Sequence, residues 1–178
     1  MTAPAAHLVC LAGGARFTAR PIRPDDKPAL AAFFDRLSAE SRRRRFLGPK
    51  PSLTKRDLAF LTEVDGSSHV ALVALDREGR IAAVARYAAW RDRPGHAEVA
   101  FAVAEEWHGH GLASALGDRL LGEARRGRLL GLTGSTLVEN APARALLRRL
   151  GFGLVGFSGG VAEYELPLVA APALPVAA

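Results

Sequence analysis

Cys10 is the only cysteine among 178 residues, so the chain can close no internal disulfide. A lone thiol near the N-terminus reads as incidental rather than as a nucleophile. Aromatic residues make up 7% of the chain, and none interleave with its basic runs, which argues against a single-stranded nucleic-acid binder that stacks bases. No apolar run approaches the roughly 18 residues needed to cross a bilayer. Residues 1–15 are apolar but lack the basic start of a secretory leader, so the expected location is cytoplasmic, with no membrane and no nucleic-acid partner. Lysine is scarce, at Lys27, Lys50 and Lys55 only, and the net charge of +6 is carried by arginine. Such a surface attracts anions. The densest run, Arg42 to Arg45, is open to two readings: a solvated helix end, or a contact for a cofactor phosphate or an acidic substrate.

The composition otherwise fits one globular domain, with 49% hydrophobic and 24% charged residues and enough chain for a substantial core. A loose segment is expected over residues 1–15, one domain over 16–169, and a disordered tail over 170–178. Strands are predicted over Arg16–Arg23, His69–Leu75, Arg80–Trp90, up to Val103, and over Leu130–Val138. A closing hairpin is expected across Gly159 and Gly160. Helices are predicted from Asp26 to Leu37, around Ser41–Phe46, after Ser52 or Thr54, from Leu112 to Arg126 and from Asn140 to Leu150. Helices that precede and interrupt a mostly antiparallel run of strands give an α+β class.

The most informative segment is Trp107-His108-Gly109-His110-Gly111-Leu112-Ala113. It follows an apolar strand and precedes a helix with leucines at 112, 116, 120 and 121. That order aims backbone N–H groups and a helix N-terminus at one point, which suits a phosphate. Gly109 and Gly111 let an anion approach the backbone closely. The plain alternative is an ordinary glycine turn before a helix. No Gly-x-x-x-x-Gly-Lys-Ser/Thr motif is present, and the spacing is not Gly-x-Gly-x-x-Gly, so the P-loop and the dinucleotide fingerprint are both excluded. His108 and His110 have no carboxylate cluster beside them, and no metal site is expected.

The loop resembles the acyl-CoA pyrophosphate signature of the GNAT superfamily of N-acetyltransferases, Gln/Arg-x-x-Gly-x-Gly/Ala. His108 stands at the Gln/Arg position, Gly111 at the motif glycine and Ala113 at the final small residue. Glu139-Asn140-Ala141-Pro142-Ala143-Arg144 and Leu150-Gly151-Phe152 resemble its second motif, and Arg20 to Asp26 its first strand and turn. The resemblance implies a mixed, mostly antiparallel sheet of six to seven strands flanked by helices. A splayed parallel strand pair in it would hold acetyl-CoA as co-substrate. Cofactor contacts are then expected from Val103, whose neighbourhood supplies an N–H to the developing oxyanion, from His108, Gly109, His110, Gly111, Leu112, Ala113 and Ser114 at the phosphates, and from Asn140 at the pantetheine arm. Asn140 reads equally well as a helix cap.

An acceptor amine is mostly protonated at pH 7, so its attack on a thioester needs a base. Strand alternation places Glu98, Ala100 and Ala102 on one face, with Val99, Phe101 and Val103 on the other. Glu98 therefore has open space beside it. From position alone it could equally be a surface carboxylate or an ion-pair partner. Residues 97–103 and Ser38-Ala39-Glu40-Ser41-Arg42 with Arg45-Phe46 resemble the bacterial protein-lysine acetyltransferases, in which a glutamate at this place is the base. Many superfamily members carry a tyrosine seven residues after the asparagine as acid for the thiolate. Leu147 stands there, and the protein-lysine branch also lacks this tyrosine, which leaves the acid unassigned. Glu105 and Glu106 are expected to face solvent. The resulting expectation is an acetyl-CoA-dependent N-acetyltransferase acting on a protein lysine, or on a small amine, as a monomer or homodimer. The rival reading, a non-catalytic acetyl-CoA-binding module, rests on His108 and Leu147.

Overall fold

A computed structural model describes residues 6–168. The elements in chain order are β1 (His7–Cys10), β2 (Arg16–Pro21), α1 (Lys27–Arg36), α2 (Ala39–Phe46), α3 (Lys55–Thr62), β3 (His69–Leu75), β4 (Ile81–Ala89), β5 (His96–Val103), α4 (Leu112–Arg126), β6 (Gly131–Leu137), α5 (Ala141–Arg149), β7 (Gly153–Ser158) and β8 (Val161–Pro167). All eight strands join one sheet in the order β1-β2-β3-β4-β5-β6-β8-β7. Every neighbouring pair is antiparallel except β5 and β6, which α4 connects as a parallel pair.

The sheet buries both faces. On one, α4 lays Leu112, Leu116 and Leu120, all almost fully buried, against Ala83, Ala85, Tyr87 and Val99. Their i, i+4 spacing gives the helix one apolar stripe, and burying each such side chain contributes about 1.5–3 kcal/mol. On the other face, Leu30 and Phe33 of α1 and Leu61 of α3 pack on Val73, Ile81 and Val84. The caps follow from side-chain chemistry. Ser38 accepts the Ser41 N–H at the start of α2, and Thr54 accepts the Asp57 N–H at the start of α3. Asp26 does not cap α1 through its side chain; its carboxylate takes two hydrogen bonds from Arg20, each 2.7 Å, and one from the Arg23 N–H.

One expectation needs correcting. Residues 7–10, expected to be loose, form β1 and pair with β2. Gly13 and Gly14, with φ of +93° and +83°, supply the hairpin turn, and Val9 is buried against the core. This strand takes the count to eight rather than six or seven. The tail expected over 170–178 lies outside the described residues. Among the described residues, no helix is long and apolar enough to cross a membrane.

Candidate active site

The parallel register pairs His96 with Gly131, Ala97 with Leu132, Glu98 with Thr133 and Val99 with Gly134, and there it ends. β5 continues to Val103 and β6 to Leu137, so the two strands separate beyond Val99 and Gly134. A cavity of about 820 Å³ fills the wedge and reaches α2, the glycine loop and α5. The Ala104 N–H bonds Ala82 of β4. Backbone alternation then turns the N–H groups of Phe101 and Val103 toward the open edge.

Glycine makes the closest pairing possible. A Cβ on Gly134 would lie 3.0 Å from Leu147 and 3.3 Å from Val99. Leu147 is therefore a packed core side chain at the base of the wedge, 4% exposed, and offers no proton.

At the loop, Gly109 and Gly111 have φ of +75° and +86°, and no heavy atom would lie within 4 Å of a Cβ on either. The concave side of the loop is open. α4 starts at Gly111 with no side-chain cap and no acidic residue in its first turn. The N–H groups of Leu112, Ala113 and Ser114 are thus available to an anion.

Glu98 sits where the strands part. The register sets it opposite Ala88 of β4, and Ala100 opposite Arg86. These side chains share the face on which Ala102 packs with the α1 and α3 core. Val99, Phe101 and Val103 share the opposite face with α4. The Ser135 hydroxyl donates to Glu98 Oε1 at 3.1 Å.

A model of the acetyltransferase (GNAT) family matches residues 32–152. An acetyltransferase from Pseudomonas aeruginosa is 33% identical over 136 residues, 75% of this chain and 73% of its own length. The chain belongs to the acetyltransferase (GNAT) family. Among solved structures, the GNAT domain of S. lividans PAT superposes with a TM-score of 0.86 at 29% identity, covering 93% of this chain and 99% of that one. A cAMP-binding acyltransferase from Mycobacterium smegmatis is 25% identical, with a TM-score of 0.64, over 97% of this chain and 50% of its own. This GNAT protein is accordingly an acetyl-CoA-dependent acetyltransferase, and acetyl-CoA is its co-substrate.

The wedge of this acetyltransferase fits that co-substrate on its own geometry. Thr136, 3% exposed on β6, lines the cavity, and its hydroxyl has no hydrogen-bond partner among the described residues. A buried orphan of this kind calls for a polar ligand group. Asn140 caps α5 through Oδ1, which accepts the Ala143 N–H at 3.2 Å. Asn140 also lines the cavity, so the helix-cap reading holds and the residue borders the wedge.

The two loop histidines each bond a backbone carbonyl, and His108 also lines the cavity. His108 Nε2 lies 2.9 Å from the Val103 carbonyl and 3.3 Å from Glu105, so the ring folds back over the end of β5. His110 Nδ1 bonds the His108 carbonyl at 2.8 Å, with its ring edge-on to Trp107. Glu105 is exposed, as expected, and also accepts the Ser38 N–H at 2.7 Å and the Ser41 hydroxyl at 3.0 Å; against desolvation, these bonds hold its carboxyl below the ordinary range. It ties α2 to the loop. Sequence reasoning missed Ser135 and Thr136, because the register of β6 decides what surrounds them and no motif marks them.

Proposed function

We propose that this acetyltransferase moves the acetyl group of acetyl-CoA to a lysine ε-amine of a protein, with Glu98 as general base. The observation that carries the reading is the placement of Glu98 at the split between β5 and β6, on the face opposite α4 and facing the cavity under α2. The phosphates of acetyl-CoA belong at the N–H groups of residues 109 to 114. The pantetheine arm runs into the wedge past Thr136 and Asn140, and the thioester reaches the level of Phe101. The acceptor then enters from the Glu98 side. Its amine attacks the thioester carbonyl and Glu98 takes the proton from nitrogen. The Phe101 or Val103 N–H holds the oxyanion. The tetrahedral adduct collapses with loss of the CoA thiolate, which is protonated from solvent or by the substrate, since Leu147 cannot donate. The transfer is direct, with no acyl-enzyme.

The protein-lysine acceptor is supported by the Ser38 to Phe46 segment, which resembles the protein-lysine branch, and by Leu147 in place of the tyrosine that this branch also lacks. Incubation with acetyl-CoA and a panel of lysine-bearing proteins, acyl-CoA synthetases among them, should give ε-acetyl-lysine by peptide mass spectrometry. Turnover of small amines alone, with every protein untouched, would exclude the lysine reading.

A further inference from the structure

The four consecutive arginines of α2 meet four different fates. Arg42 donates to the carbonyls of Leu37, Pro51 and Asp35 at 3.0, 2.8 and 2.9 Å. Arg43 pairs with Glu40 and Glu139, and Arg44 with Glu40. Arg45 alone of the four has no hydrogen-bond acceptor among the described residues. Its guanidinium lies 4.9 Å from the Phe46 ring centroid, and the residue lines the cavity together with Glu98, Leu37 and Ala102. Burial pushes it down to about 10, against the opposing pull of Glu98.

The charge beside Arg45 makes its position more unusual. Arg86, which the register places opposite Ala100, is 4% exposed. It donates to the Leu61 carbonyl at 3.0 Å and to His69 Nε2 at 3.3 Å, and it pairs with no carboxylate among the described residues. Arg45 and Glu98 line the same cavity, one oxygen of that carboxylate is already held by Ser135, and the nearby Arg86 adds a second positive charge beside Arg45. A half-buried guanidinium with open donors beside apolar walls is costly to desolvate unless an anion meets it. A carboxylate meets it best, through two parallel hydrogen bonds.

Acetyl-CoA does not bring that anion. Its phosphates belong at the glycine loop and the start of α4, and the thioester is uncharged. α2 covers the acceptor side. Resting on the acceptor-side assignment of Glu98 above, we infer that the acceptor carries a carboxylate close to its amine and that Arg45 receives it, so that Arg45 sets acceptor specificity. The carboxylate has two possible sources: an acidic side chain flanking an acceptor lysine, or the α-carboxylate of a free amino acid.

Matched acceptor pairs separate these sources. One arm compares lysine peptides with Glu or Gln next to the lysine; the other compares free amino acids with their amides. With wild-type protein, the acidic member of at least one arm should be favoured by about tenfold or more in kcat/KM, mostly through KM. The arm that shows the preference names the source. Arg45→Gln should erase the preference while acetyl-CoA affinity by calorimetry stays unchanged, and Arg45→Lys should keep part of it. Equal kcat/KM for acid and amide in both arms, or no turnover in either, would overturn the inference. That comparison uses wild-type protein and decides the matter even if Arg45→Gln fails to fold. Failure of the lysine reading looks different: no lysine peptide turns over, while the preference survives among free amino acids.

Discussion

At the residue scale, the proposed mechanism rests on one carboxylate, Glu98, and its neighbours. Glu98→Gln keeps an oxygen that can accept from the Ser135 hydroxyl and keeps the volume, so the wedge should stay intact. What is lost is the ability to take a proton. Turnover should fall about 100-fold or more, the scale of a missing general base, with acetyl-CoA affinity by calorimetry nearly unchanged. Near-normal turnover would remove Glu98 from the mechanism. Ser135→Ala should cost far less, about two- to tenfold in kcat, because it removes one neutral hydrogen bond that aims the carboxylate. The open space beside Glu98 was legible because strand alternation and two small neighbours, Ala100 and Ala102, are local features; its proposed role came only from the resemblance. Ser135 was not, since its contact exists only once β6 lies parallel to β5 with Thr133 opposite Glu98. The bond of His108 to the Val103 carbonyl was not legible either. The Val103 carbonyl lies five residues back, and only the fold of the loop brings the ring onto it.

At the element scale, α4 and its loop have to present free N–H groups at a fixed angle to the wedge. Gly111 holds φ at +86°, and a Cβ there would meet nothing. The constraint is therefore the backbone and the approach of the ligand, not crowding in the free protein. Gly111→Val should weaken acetyl-CoA binding at least about tenfold, since a β-branched residue is a poor fit at positive φ. Gly111→Asn should bind better than Gly111→Val, because asparagine tolerates that region. Equal affinities for the two variants would show that bulk, not φ, matters. Further along, Gly117 permits α4 to dock on α5: a Cβ there would lie 2.7 Å from Leu150, itself buried. Gly117→Val should destabilise by about 1–3 kcal/mol through overpacking, measured by denaturant unfolding, despite glycine's poor helix propensity. The helix itself was legible from its leucine spacing. The role of Gly117 was not, because it depends on the facing surface of α5.

At the scale of the whole molecule, the mostly antiparallel sheet was legible in the run of strands and the β5–β6 split through the family resemblance, whereas the strand order was not read and β1 escaped notice because four residues and a Gly-Gly turn form too short a pattern against an apolar background. The layer made by α1 and α3 is held to the sheet partly by a polar tie that sequence cannot display. Arg86 on β4 reaches the Leu61 carbonyl of α3 and donates to Nε2 of His69 on β3. His69 must accept there, so it is neutral, with its proton on Nδ1. Burial, reinforced by the Arg86 charge, pushes its pKa from 6.5 down to about 4. The unfolded chain therefore binds this proton more readily than the folded one. The stabilisation is complete above pH 6.5 and is lost as pH falls toward 4. Lowering pH from 7 to 5 should cost about 1 kcal/mol after allowance for solvent screening of a half-exposed ring, or about 2–4 °C in Tm for a domain of this size. The acidic groups that lose their partners on protonation act lower. Asp57, held near 2 by Lys50 and the Thr54 cap, and Asp65, held down by Ser68 and neighbouring backbone N–H groups despite desolvation, contribute mainly below pH 4. His69→Gln, which can still accept from Arg86 but does not titrate, should flatten the Tm profile between pH 7 and 5 and leave the steeper fall below 4 in place. An unchanged slope in that variant would assign the acid sensitivity to other groups and leave the polar tie without a role in stability.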